Sequence, residues 1–376
     1  MKPPIQIALL SCLVLALACG GGQPAAGPAP APTAPAASVF DAGRTAYGFF
    51  PSPPRATLDS VLQHFQALGE HADFVLVQEN VVWEDFVQGA AGESQKRTDL
   101  LNLMTLARGQ GLEALFVVDA LNGLNRREFA GLPAGWEASF ANPQVRAAVT
   151  NFALWIVRAF HPRYLGLASE INTYADAHPA DFPHYLSLYR EIYALVKAEA
   201  PATQIFVSFQ WEDLNNLFAQ AAEGRAAYAT NWDQVEAFEP ELDVWVISSY
   251  PFFVFPAGAD IPADYYTPLL ARTPKPVAVA EGGFASRPFA AWAQGGTPQD
   301  QVAYLNALHG QLGERLAFWV YLLLNDFDPD SYAAGLPGKA ADDLNTLGFF
   351  TAVGLREADG TPKPALEVWD RLRAGP

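Results

Sequence analysis

Two glutamates each close a short apolar run. Glu281 ends Val277-Ala278-Val279-Ala280 and is followed by Gly282 and Gly283. Glu170 follows Tyr164-Leu165-Gly166-Leu167-Ala168-Ser169 and precedes Ile171-Asn172. A continuous apolar run suits a parallel strand covered on both faces. A carboxylate where such a strand meets a loop points to chemistry rather than packing. Paired carboxyls supply a proton donor and a nucleophile or base, the equipment for cleaving a glycosidic bond. The plainer alternative is that each glutamate pairs with an arginine or caps a helix.

The surrounding chain alternates strands and amphipathic helices. Strands are expected at 45–50, 73–78, 115–119, 164–170, 204–209, 244–250, 277–281 and 317–323. Helices are expected near 57–68, 94–110, 143–160, 182–200, 264–272, 297–312 and 364–373. Eight alternations point to an α/β fold, a (β/α)8 TIM barrel, with Glu170 and Glu281 ending its fourth and seventh strands. No G-x-G-x-x-G or G-K-[ST] loop follows the early strands, so a nucleotide-binding sheet lacks its fingerprint.

Composition narrows the partners. The chain has 376 residues, 51% hydrophobic, and a formal charge of −17, which disfavours nucleic acid. Its two cysteines, Cys12 and Cys19, lie in the N-terminal apolar segment, so the folded part holds no disulfide. None of the six histidines falls in an H-x-x-x-H spacing, and neither metal nor cofactor is expected. Asn325-Asp326-Phe327-Asp328-Pro329-Asp330 alternates acids as a calcium loop does, but Pro337 occupies the twelfth place, where an EF-hand needs Glu. A solvated acidic loop is the expected reading.

Met1-Lys2 and the apolar run Ile5 to Ala18 read as a signal peptide over 1–18. Ala16-Leu17-Ala18-Cys19 resembles a bacterial lipobox, which implies lipidation at Cys19 and a cell-envelope location. An ordinary cleaved signal peptide is the alternative. Residues up to 38 form a Gly/Pro/Ala spacer, leaving 39–376 as one catalytic domain.

The domain resembles the clan of retaining (β/α)8 glycoside hydrolases that includes cellulases, β-mannanases and endo-β-1,4-galactanases. The resemblance implies Glu170 as acid/base, Glu281 as nucleophile and Tyr250 as the nucleophile's partner, with Trp319 as the eighth-strand aromatic. The tail from Gly354 to Ala365 resembles endings common in these enzymes. Two departures stand out. Ser169 replaces the Asn that usually precedes the acid/base, with Asn172 nearby. The Arg often found near the second strand's end is missing from Gln78-Glu79-Asn80, and Arg44 is the candidate replacement. In the free protein Glu170 is expected protonated and Glu281 ionised.

Trp211 and Trp319 suit sugar-stacking platforms or core packing, and Trp83, Trp136 and Phe252 are weaker platform candidates. Glu79, Asn80, Asp119 and Gln210 suit hydroxyl binding or loop capping. The functional expectation is retaining hydrolysis of a β-linked poly- or oligosaccharide. Its rival is a catalytically silent carbohydrate-binding lipoprotein, which Ser169 keeps open; another barrel hydrolase or lyase is a third reading.

Overall fold

A computed structural model describes residues 38–89, 94–123, 125–218, 224–289, 296–335 and 347–375. The signal peptide, Cys19 and nearly all of the spacer lie outside the described residues.

Eight parallel strands form the barrel wall. They are β1 (Ala46–Phe49), β2 (Phe74–Asn80), β3 (Glu113–Asp119), β4 (Tyr164–Gly166), β5 (Gln204–Phe206 and Ser208–Gln210), β6 (Trp245–Ser249), β7 (Val277–Gly282) and β8 (Leu316–Tyr321). β1 pairs with both β2 and β8. The first half of β5 pairs with β4 and the second half with β6. β5, interrupted at Val207, therefore closes the ring, and its two halves bring the sheet to nine segments. Closure leaves no exposed edge among these strands.

Eight helices follow the strands in turn: α1 (Leu58–His71), α2 (Gln95–Gly109), α3 (Pro143–Phe160), α4 (Phe182–Glu199), α5 (Trp232–Glu236), α6 (Thr267–Arg272), α7 (Pro298–Leu312) and α8 (Pro364–Ala374). Several starts are fixed by local chemistry. The side chains of Thr57, Ser94 and Asn142 accept from backbone N–H groups of α1, α2 and α3. Thr297 and Asp300 form a reciprocal capping box on α7.

The lower barrel is filled by rings made possible by glycines. A Cβ on Gly48 would stand 2.6 Å from the Phe74 ring, and one on Gly166 2.9 Å from the Phe206 ring. Phe318 packs centrally against Phe74, Tyr164 and Phe206, with centroids 6.1, 4.9 and 5.8 Å away. Phe40 packs on Phe74 and Tyr164 from the short turn before β1. Asp73 holds that end together, accepting from Arg44, Arg373 and the Tyr47 N–H. Arg44 thus sits before β1, at the end of the barrel opposite the strand C-termini. It does not replace an arginine at the mouth.

Along β8 the side chains alternate, so Trp319 points away from Phe318. Its ring meets Trp369 of α8 at 5.4 Å and Tyr304 of α7 at 6.5 Å. Trp319 is therefore core between wall and helices, and the expected eighth-strand platform is absent at this position.

Candidate active site

Glu170 lies four residues beyond β4, which is shorter than expected. Its backbone is left-handed (φ 53°, ψ 42°), a conformation L-residues other than Asn and Asp rarely adopt. The Ser208 hydroxyl of β5 accepts the Glu170 N–H at 3.1 Å, and Ser169 Oγ lies 3.3 Å from the same oxygen. Such a strained residue survives only where its surroundings over-determine it, and functional sites are where this collects. The Ser248 hydroxyl of β6 donates to Glu170 Oε1 at 2.6 Å, while Arg126 Nε stands 3.5 Å from Oε2.

Glu281 is the penultimate residue of β7. A Cβ on the next residue, Gly282, would press on the Tyr304 hydroxyl of α7, so Glu281 itself turns to the barrel interior. The Tyr250 hydroxyl donates to Glu281 Oε1 at 2.7 Å. Oε2 of Glu281 and Nη2 of Arg126 are buried without a hydrogen-bond partner among the described residues. Tyr250 stays a donor, since burial and then the Glu281 charge push its hydroxyl well up.

The ionisation differs from the sequence expectation. Burial, then the charge of Glu170, pushes the Glu281 carboxyl up to about 8, against the pull of Arg126 and Tyr250. Glu170, meanwhile, lies 3.5 Å from Arg126 Nε and accepts from the Ser248 hydroxyl at 2.6 Å. Around neutral pH the raised Glu281 carboxyl therefore holds a proton, against the sequence expectation that it is ionised. The two carboxyls feel each other, so their titration belongs to the pair.

Arg126 is the residue that sequence reasoning missed. It comes from an unforeseen hairpin, Leu121–Asn122 with Asn125–Phe129, that folds back over the mouth after β3. Asp119 anchors it. This fully buried carboxylate pairs with Arg126 and accepts from Gln78 Nε2 at 2.9 Å and the Leu121 N–H at 3.0 Å. The signal was present as an acid at a strand end followed seven residues later by Arg126-Arg127. Which of those arginines turns inward depends on the hairpin register.

Several expected sugar contacts prove to be internal. Asn172 donates to the Gln210 carbonyl (3.2 Å) and Asp213 (3.0 Å) and accepts the Gln210 N–H (2.8 Å), tying the β4 end to the β5 end. Gln210 caps the turn Trp211–Leu214 by accepting the Asp213 N–H, and donates to Glu212. Asn80 donates to the Asp119 and Leu121 carbonyls, and Glu79 pairs with Lys96 at 2.5 Å. Trp211 is fully buried against Trp232, Tyr265 and Tyr266, so it is no platform. Trp83 donates its indole N–H to the Ala130 carbonyl and lines a cleft of about 400 Å³ with Asn80, a cleft that neither Glu170 nor Glu281 lines. Phe252 stacks on Phe349, and Trp136 packs on Trp83.

Glu212 was also unforeseen. Fully buried, it accepts from Ser249, Tyr265, Gln210 and the Tyr250 N–H, and so fixes the β6 end that carries Tyr250. The loop from Asn325, expected to be solvated, is instead partly internal: Asp326 is fully buried and bonded to Lys363, while Asp328 pairs with Arg55.

No family model matches this sequence, and a search of curated proteins finds no match. Solved structures do match in shape. An exo-β-1,4-mannosidase from Opitutaceae bacterium strain TAV5 superposes with a TM-score of 0.61 at 15% identity over 88% of this chain. This chain spans only 59% of that protein's length. A GH5_18 protein from Bifidobacterium longum subsp. longum, solved with Manβ1-4GlcNAc, gives 0.60 at 14% identity, covering 88% of this chain and 78% of that one. Fungal β-1,4-galactanases give 0.52 at 12% identity, covering 87% and 94%. The fold is the (β/α)8 barrel of these glycoside hydrolases. At such identities the likeness speaks for the barrel, and the chemistry has to be argued from the site.

Proposed function

We propose that this chain is an exported glycoside hydrolase that cleaves a β-glycosidic bond of an oligo- or polysaccharide with retention. The observation that carries the reading is the Tyr250–Glu281 hydrogen bond at 2.7 Å within the field of a second strand-end carboxyl, Glu170. A (β/α)8 wall places such residues at the C-terminal mouth, where this fold does its chemistry.

In the proposed reaction Glu170 protonates the leaving oxygen while Glu281 attacks the anomeric carbon. Glu170 then removes a proton from the water that releases the sugar. Glu281 must be ionised to attack. A proton on Glu170 removes the repulsion that burdens Glu281, and Arg126 and Tyr250 then both favour its charge. Substrate binding would therefore need to ionise Glu281.

The test is hydrolysis of aryl β-mannosides, β-galactosides and β-glucosides, with the first-formed anomer read by proton NMR. Glu281→Ala should abolish turnover with the fold intact. Glu170→Ala should spare activated aryl leaving groups and be rescued by azide. Unchanged activity in Glu281→Ala would sink the assignment.

The raised Glu281 carboxyl gives the binding-protein reading its support, because a protonated Glu281 cannot attack. That reading expects glycan binding without release of reducing sugar, in wild type and in both glutamate variants alike. The lipid anchor is a separate proposal, resting on Met1-Lys2, the run to Ala18, and Cys19. Cys19→Ala should abolish labelling by radioactive palmitate; persistent labelling would place the anchor elsewhere.

A further inference from the structure

A second polar cleft, of about 260 Å³, lies outside the barrel wall, between α1 and the turn that precedes α8. It opens at the same end as Glu170 and Glu281, since Pro54 and Arg55 follow β1 and Asn325 follows β8. Neither glutamate lines it.

Its floor holds His64 of α1, which is 3% exposed. Among the described residues neither ring nitrogen completes a well-aligned hydrogen bond, the Asn325 side chain and the Phe50 backbone being its near neighbours. Both lie close enough to favour a charged ring slightly. Burial outweighs them and pushes the pKa down to about 4. At neutral pH the ring thus offers one N–H and one lone pair. Leaving two buried polar atoms unmet is costly, and a cleft this size holds several waters at about 30 Å³ each, so the space is matched to a ligand larger than one water.

The walls carry charges of both signs. Arg55 is committed to Asp328, and Arg356 is held by the Gly360 carbonyl at 2.8 Å. Asp59 and Asp359 stand at the rim. With Asp328 counted, two cations and three carboxylates around a neutral imidazole disfavour an anionic ligand. They suit hydroxyl groups, each of which gives and takes a hydrogen bond. The Arg356 wall is held in place, because Gly360 N–H bonds the Glu357 carbonyl at 2.9 Å and Asn325 bonds the same carbonyl at 3.1 Å.

We propose that this cleft is a second binding site, for a neutral polyhydroxylated ligand such as one sugar residue, recognised by His64 and the Arg356 turn. The proposal does not depend on catalysis by Glu170 and Glu281.

The test follows the His64 ring by long-range nitrogen–proton NMR in the full chain. Methyl β-D-mannopyranoside and methyl β-D-galactopyranoside are titrated, with sodium sulfate as the ionic control. Ala358→Trp, at a half-buried position of the turn that lines the same cleft, is designed to fill the space. Saturable movement of the His64 signals with either glycoside, lost in Ala358→Trp and absent with sulfate, is the expected result. Signals that stay still with both glycosides, that move equally in Ala358→Trp, or that respond to sulfate instead would overturn it. Turnover by the wild type is measured separately, so failure here and failure of the hydrolase reading remain distinct.

Discussion

At the residue scale the fold stores a proton on a buried carboxyl at the barrel mouth. Glu281 is fully buried beside Glu170, and its carboxyl rises to about 8 from an ordinary value of 4.5. Between those two pH values the unfolded chain has lost this proton and the folded chain keeps it. Stability therefore falls as pH climbs through that window, by as much as a few kcal/mol. Glu281→Gln should then melt higher than wild type at pH 8, with the gap closing towards pH 5; a gap independent of pH would contradict the assignment. Tyr250→Phe removes the donor on Oε1. We expect kcat to fall by roughly 10²- to 10³-fold, as when one preorganised donor is lost. The acidic limb of kcat/KM should also move to higher pH, because Glu281 loses a bond that favours its charge. A purely structural Tyr250 would lower activity without moving that limb.

Arg126 belongs to the same scale. Replacing it with Met withdraws the cation from Asp119, Glu170 and Glu281 together. The buried Asp119 would be left uncompensated, at a cost of about 3–5 kcal/mol. Adding Asp119→Asn should restore most of that stability, read by urea denaturation, without restoring activity.

At the element scale the strands explain which expectations failed. Continuous apolar runs named the strands well, because a wall covered on both sides requires them. They could not say which face each side chain takes. Trp319 and Phe318 are neighbours of similar bulk, and the pleat sends one to α7 and α8 and the other into the barrel. Trp319→Ala should cost about 3–5 kcal/mol. Trp319→Phe should leave KM for a β-glycoside unchanged, and a several-fold rise would return the ring to the sugar. Asn172, Gln210 and Asn80 are engaged within the fold for a related reason. Each sits where a strand hands over to a loop, and the backbone groups exposed there claimed it first.

At the scale of the whole molecule, closure is what makes the site. Trp369 of α8 is fully buried against Tyr47 and Phe49 of β1 and against Trp319 and Tyr321 of β8. It braces the seam where the first strand meets the last. A chain ending at 362 should lose its cooperative thermal transition, and its near-ultraviolet circular dichroism with it. The sequence alone determined the strand–helix alternation, the two strand-end glutamates and Tyr250, because burial on both faces and the eightfold repeat leave a plain pattern. Only the tertiary structure decided that Arg126 reaches the mouth, that Arg44 lies at the other end, and that Glu281 holds a proton at rest. Those outcomes depend on hairpin register, on which end of the barrel a residue occupies, and on desolvation by distant segments. All three are properties of chain closure rather than of local spacing.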